Sequence, residues 1–363
     1  MILYAKKEQD MKQRLYKFDD IRAFAALSVI AIHATAPYVT EEIIGFVWNQ
    51  LMRYAVPLFI ILSGFLLYYA DRKKGTVHYG QFMRKRLTKI FIPYVIWTIV
   101  YTLFKMREEI ADRGAEALPD VGGALLSFLF DGSAFVHLYF LIIMFQLYLL
   151  YPVLRLWMKH RANQALFVSF FCTFLTQTWV YIHDITKWGV QIPQVTRFLP
   201  VWLFFFVLGM YTARHKEGWE AWLRRNGLLV AVCWLVSIVL LLVDSRITET
   251  YGASIKPTVV LYTVTSYFLF YYICMGRRRW QKQGEGFVQW LSTQSFLVFL
   301  LHPLILTVLR ILPREYGDDA IWDGLTGMLG LFAATTGVTL LLTYIISFTP
   351  LAAILGGVRA GRK

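Results

Sequence analysis

Apolar residues dominate long unbroken stretches of this chain instead of alternating with polar ones. Runs of roughly 17 to 25 mostly apolar residues, the length a helix needs to cross a bilayer, recur ten times. They fall near Asp19 to Tyr38, Gly45 to Tyr69, Ile90 to Phe104, His137 to Leu154, Ala165 to Ile182, Phe198 to Ala213, Gly227 to Val243, Pro257 to Met275, Phe287 to Leu309 and Gly324 to Phe348. The stretch Val121 to Phe135 is apolar but short and carries Gly122, Gly123 and Gly132, which predicts an interfacial or re-entrant piece. The pattern predicts an all-α, polytopic membrane helix bundle of about ten spans. Residues 1–363 form one membrane domain, with a basic segment at 1–18 and a short basic tail at 350–363.

Composition agrees with a lipid solvent. Of the 363 residues, 57% are hydrophobic and only 17% charged, and mean hydropathy is +0.51, beyond the range of a soluble domain. Aromatic residues make up 17%, including 12 Trp and 21 Tyr, rings suited to the headgroup level. Cys172, Cys233 and Cys274 sit in apolar runs without metal-ligand or CxxC spacing, so they read as small hydrophobes. No metal site is expected.

Charge then orients the spans. With the N-terminus inside, 26 of the 37 Lys and Arg fall on the cytoplasmic side, nine outside, and two, Arg22 and Arg53, within spans. Arg72, Lys73, Lys74, Arg84, Lys85, Arg86 and Lys89 share one inner loop, and Arg277, Arg278 and Arg279 mark another. This is the positive-inside rule, and it places both termini in the cytoplasm. The net charge of +14 is topological, dispersed over six segments, and does not point to nucleic acid. Lys12, Arg14 and Lys17 before an apolar run, with Ala34-Thr35-Ala36 after it, also resemble a signal peptide, but nine more spans follow.

The first span, "DDIRAFAALSVIAIHATAPY", keeps two costly residues. Arg22 and His33 are eleven positions apart, three turns plus about 20°, which sets them on one helix face roughly 16 Å apart. Arg22 falls at the cytoplasmic mouth, as a phosphate-binding or snorkelling cation. His33 falls in the outer half, where an ionisable residue marks function. Span direction puts Arg53, His137, Tyr139 and His302 in the same outer half, with Gln146 near the middle. Pro57 is expected to kink the second span, and Pro303 to free the Phe299 carbonyl. Each of these residues also has a plainer reading: Arg53 as an anchor paired with Glu41 or Glu42, His137 at the interface, His302 bonded locally at its proline kink. Ser63-Gly64 reads as a packing contact, since no GxSxG elbow surrounds it.

"RAFAALSVIAIH", followed in order by "VPLFIILSGFLL", "RKRLTKIFIPYVIW", "HLYFLIIMFQLYLLYP" and "FLVFLLHPLIL", resembles the acyltransferase type 3 family of integral membrane acyltransferases over nearly the whole chain. The later segments look closest to the branch associated with the poly-N-acetylglucosamine intercellular adhesin. The resemblance implies a multi-pass protein of the bacterial cytoplasmic membrane. It would move an acyl group, commonly acetyl, from cytoplasmic acyl-CoA to a hydroxyl of an extracytoplasmic glycan. Acyl-CoA is then a co-substrate, with no cofactor bound permanently; the bilayer, the glycan acceptor and glycan-synthesis or export proteins are the implied partners. His33 takes the position of the family's essential histidine and Arg22 that of its paired arginine. The family's Arg-x-x-Arg motif falls on Arg86 to Lys89, where Lys89 offers a point charge in place of a bidentate fork and Arg84 stands close by.

Joined to the bottom-up reading, this predicts CoA phosphates on Arg22, Arg84, Arg86 and Lys89. His33 is the general base, Arg53 or His137 steadies the oxyanion, and Glu41, Tyr139 and His302 stand on the acceptor side, Glu41 or Glu42 orienting His33. An acyl-histidine intermediate fits equally. A polysaccharide exporter or secondary transporter is the competing class, although no duplicated halves are evident.

Overall fold

The computed structural model describes residues 16–72, 79–190, 194–276, 285–317 and 319–358. The basic positions Lys12, Arg14, Lys73, Lys74 and Arg277 to Arg279, and the tail beyond 358, lie outside them. Every apolar run is helical: α1 Tyr16–Thr35, α2 Ile43–Leu51, α3 Ala55–Asp71, α4 Tyr79–Lys105, α5 Arg107–Arg113, α6 Leu118–Asp131, α7 Tyr139–Thr186, α8 Leu199–Arg214, α9 Lys216–Ile247, α10 Pro257–Gly276, α11 Glu285–Glu315, α12 Gly324–Ser347 and α13 Leu351–Gly356. There is no strand among the described residues.

Nine helical stretches among the described residues are long and apolar enough to cross a membrane. The predicted fourth and fifth spans are joined in α7, whose 48 residues would measure about 72 Å if straight, far beyond a bilayer core. The joint is Arg161, whose φ of −139° and ψ of 59° leave the helical region. Both halves of α7 meet the start of α8: Gln146 donates to the Arg197 carbonyl (3.0 Å), and Thr173 and Gln177 donate to the Pro200 and Val201 carbonyls (2.6 and 2.9 Å). The far end of α8 meets the joint, where Arg214 donates to the Met158 and Lys159 carbonyls. The two halves therefore lie side by side as a hairpin.

α1 is the hub, packed on α3, α10, α11 and α12. Its small residues Ala23, Ala25, Ala26 and Ala34 are buried and let neighbours approach closely. It runs antiparallel to α2 and α3: Phe18 meets Phe65, Ser28 meets the Tyr54 hydroxyl, and Thr35 meets Asn49. α11 runs in its direction, with Ser292 on Asp19 and His302 beside His33. These registers gather the starts of α1 and α4, the end of α3 and the Arg161 joint at one basic end. His33, Arg53 and His137 share the opposite end.

The tightest seam joins α3 and α8, where a Cβ on Gly64 would overlap the Phe206 carbonyl and one on Gly209 the Ile61 carbonyl. Ser63 donates to its own helix at Phe59, so the Ser63-Gly64 pair is a packing contact. The piece predicted over Val121 to Phe135 is the helix α6, 14 residues and about 21 Å long, too short to span. Tyr94 of α4 holds it by donating to the Phe128 and Leu129 carbonyls (3.2 and 2.8 Å).

Candidate functional site

The second span breaks where chemistry gathers. Pro57 has no N–H to give the Arg53 carbonyl, and the helix is interrupted one turn earlier than the expected kink, at Met52 to Tyr54, between α2 and α3. The break turns Arg53 inward. Its side chain is only 6% exposed. Nη1 donates to the Gly252 carbonyl (2.8 Å) and the Ser254 hydroxyl (3.0 Å), and Nη2 to Asn49 Oδ1 (2.5 Å) and the Tyr251 carbonyl (2.7 Å). All four acceptors are neutral, so the anchoring pair with Glu41 or Glu42 is not formed. Dipoles orient this guanidinium without cancelling its charge, which leaves a fixed positive field.

That field reaches a cavity of about 330 Å³ lined by His33, Arg53, His137 and Tyr139, from α1, the α2–α3 break and the start of α7. His302 of α11 stands behind them, its ring 5.3 Å from that of His33 and 6.0 Å from that of His137. His302 Nδ1 lies 3.0 Å from the Val298 carbonyl, to which only an N–H can bond. This is the local bond expected of a histidine beside a proline kink, and it leaves Nε2 buried without a partner among the described residues. His137 sits among the rings of Tyr101, Phe135 and Phe299, and neither of its nitrogens has a well-aligned partner there. Its placement is interior, not interfacial. A second cavity, about 350 Å³, borders His33 from the side of Pro303 and Arg310.

Neither carboxylate expected to orient His33 lines a cavity with it. Glu41 is exposed beyond α1 and lines neither cavity, and Glu42 faces Gly324.

The pattern of apolar runs does not pick out the support behind Arg53. Gln50 donates to the Tyr251 carbonyl (2.9 Å) and accepts from Ser245 (2.9 Å). Lys256, wholly buried, donates to Ser245 (2.6 Å) and pairs with Asp244 (3.2 Å), which also accepts from Thr258 (2.6 Å) and Tyr181. Burial lowers the Lys256 ammonium from its ordinary value, and Asp244 opposes that shift. The ion pair ties together the ends of α9 and α10, and the loop between them presents Tyr251, Gly252 and Ser254 to Arg53. Asn49, one turn before Arg53, is the only member with a local signal.

The four basic-end candidates line neither cavity. Arg22 is half-buried on α1, Arg84 and Lys89 are exposed on α4, and Arg86 leans on the rings of Phe82 and Tyr148 (5.7 and 5.3 Å).

Residues 15–347 match the acyltransferase type 3 family, described as "Acyltransferase domain". Curated relatives from Staphylococcus epidermidis, each described as a "Probable poly-beta-1,6-N-acetyl-D-glucosamine export protein", are 23% identical over 360 residues, covering 93% of this chain and 95% of theirs. No solved structure matches the chain. The family match runs from the start of α1 to the end of α12 and takes in every residue of the histidine and arginine site. The chain belongs to the acyltransferase type 3 family of multi-pass membrane proteins.

Proposed function

We propose that the protein moves a short acyl group, acetyl being the simplest, from acyl-CoA to a hydroxyl of a cell-surface glycan across the bacterial cytoplasmic membrane. The observation that carries this reading is the convergence of His33, Arg53 and His137 on one cavity at the end of the bundle opposite the basic one. The CoA phosphates meet Arg22, Arg84, Arg86 and Lys89 at the cytoplasmic end. His33 accepts the proton of the attacking hydroxyl while its oxygen bonds to the thioester carbon. Arg53 stabilises the oxyanion, and the C–S bond then breaks, the proton passing from His33 to the CoA sulfur. Tyr139 and His302 border the acceptor side.

The test is transfer of labelled acetyl from acetyl-CoA by the protein in nanodiscs, with and without a glycan acceptor. We expect His33→Ala, at matched thermal stability, to lose at least about 10²-fold in rate. An unchanged rate in His33→Ala removes it from the chemistry. The description of the relatives favours a second reading, export of the glycan. Glycan movement across vesicles without any acylation would select it.

A further inference from the structure

The mouth of the His33 cavity is built from groups that none of the steps above uses. The outward half of α7 contributes Trp179, His183 and Asp184 to the cavity lining. The helix ends at Lys187 in the left-handed region (φ 57°), and the chain reverses. Thr186 receives the Trp188 N–H (3.1 Å), His183 Nδ1 donates to the Trp188 carbonyl (3.1 Å), and Gly189 at φ 89° lies against the Trp179 ring. The turn sets Trp188, 68% exposed, against Trp179, with ring centroids 5.9 Å apart at 54°.

An aromatic belt is the plain explanation for tryptophans at this level of a membrane protein. It accounts for rings that face lipid. It does not account for an indole lining a cavity, a second one locked to it by a backbone reversal, and a carboxylate and an imidazole beside both. A pyranose presents one face of C–H bonds and a rim of hydroxyls. An indole face covers the first, and a carboxylate oxygen and a ring nitrogen accept from the second. The volume of about 330 Å³ is at the small end of ligand pockets, roughly 300–1,000 Å³, so it holds a terminal sugar while the chain extends outward over Trp188. Asp184 at the rim and Arg53 within give the cavity charges of both signs, which suits an uncharged sugar.

We propose that Trp179, Trp188, His183 and Asp184 form the acceptor subsite, a platform that seats an uncharged sugar with its hydroxyl directed at His33. The proposal rests on the acceptor being a glycan. Its test is binding of β-1,6-linked N-acetylglucosamine oligosaccharide to the full-length protein in nanodiscs by calorimetry, beside the acceptor KM for transfer. Trp188→Ala, at an exposed position that tolerates truncation, and Trp179→Ala each raise the Kd and acceptor KM about tenfold or more, and Asp184→Asn raises them several-fold. Trp179→Phe, which keeps a ring face, recovers part of the loss. Trp222→Ala, on the basic-end part of α9, leaves the Kd unchanged. Equal binding by all variants overturns the subsite, as does failure of the wild type to bind. If the wild type binds and the indole variants do not, yet no acyl group is transferred, the subsite stands and the transfer reading falls.

Discussion

The two ends of α1 handle positive charge in opposite ways. At the basic end the cations are many, and Arg84 and Lys89 are exposed. Hydrated charge of this kind attracts anions from a distance, is screened beyond about 10 Å at ordinary ionic strength, and needs no fixed geometry. At the other end a single guanidinium is 6% exposed and held by four neutral acceptors, three of them in the loop after α9. Buried charge is costly unless bonded, and once bonded it acts strongly on whatever reacts beside it. Exposed charge suits capture; a buried guanidinium held by neutral acceptors suits chemistry.

Removing the fixed charge is the most direct way to break this contrast. Arg53→Gln should lower kcat by about 10²- to 10³-fold, the scale of losing one preorganised oxyanion donor. Arg53→Lys should recover only part of it, since an ammonium does not span the same four acceptors. Steady-state kinetics at matched thermal stability decide this, and full activity in Arg53→Gln would reduce Arg53 to a structural anchor. The support behind it comes next. Lys256→Met leaves Asp244 with hydroxyl donors but no cation, and truncating a buried pair costs about 3–5 kcal/mol, less here because Asp244 is partly exposed. A lower melting temperature together with a reduced kcat is expected. Lys256→Met with unchanged kcat would show that Arg53 keeps its aim without the ion pair.

Uncharged packing between the ends supplies a control. Gly209→Ala puts a methyl into the Ile61 carbonyl, and overpacking of this kind costs about 1–3 kcal/mol. Its melting temperature should fall while the acyl-CoA KM of the folded fraction holds. A changed KM would mean that the two ends are coupled through the α3–α8 seam.

How much of this was legible in the sequence depends on distance along the chain. The spacing of Arg22 and His33 on one helix, and the span directions that bring His137, Tyr139 and His302 to the level of His33, follow from helix periodicity and loop charge. The two-span hairpin in α7 was legible as two apolar runs, because hydrophobicity marks both spans although only the Arg161 joint separates them. Arg53's clamp was not legible: Gly252 lies 199 positions away and contributes a backbone carbonyl, which no residue pattern announces. Glu41 is near His33 in sequence, but the turn after α1 leaves it exposed and off both cavities. Trp179, His183 and Asp184 share one face of an ordinary span end by helix spacing, and only the reversal at Lys187 brings Trp188 to them.

The smallest effect tests the other side of the contrast. Lys89→Gln and Arg84→Gln each remove one exposed cation, and exposed pairs are worth about 0.2–1 kcal/mol, so the acyl-CoA KM should rise only about two- to fivefold at low salt. kcat should stay constant, because nothing in their placement touches the His33 cavity. Raising the ionic strength should bring wild type and variants together, since salt screens what the wild type gains. Arg86→Gln should lose slightly more and be less sensitive to salt, because its guanidinium also rests on the Tyr148 and Phe82 rings. A salt-independent KM, or a fall in kcat, would mean that these cations hold their ligand in fixed geometry, and the division between a capturing end and a reacting end would fail there.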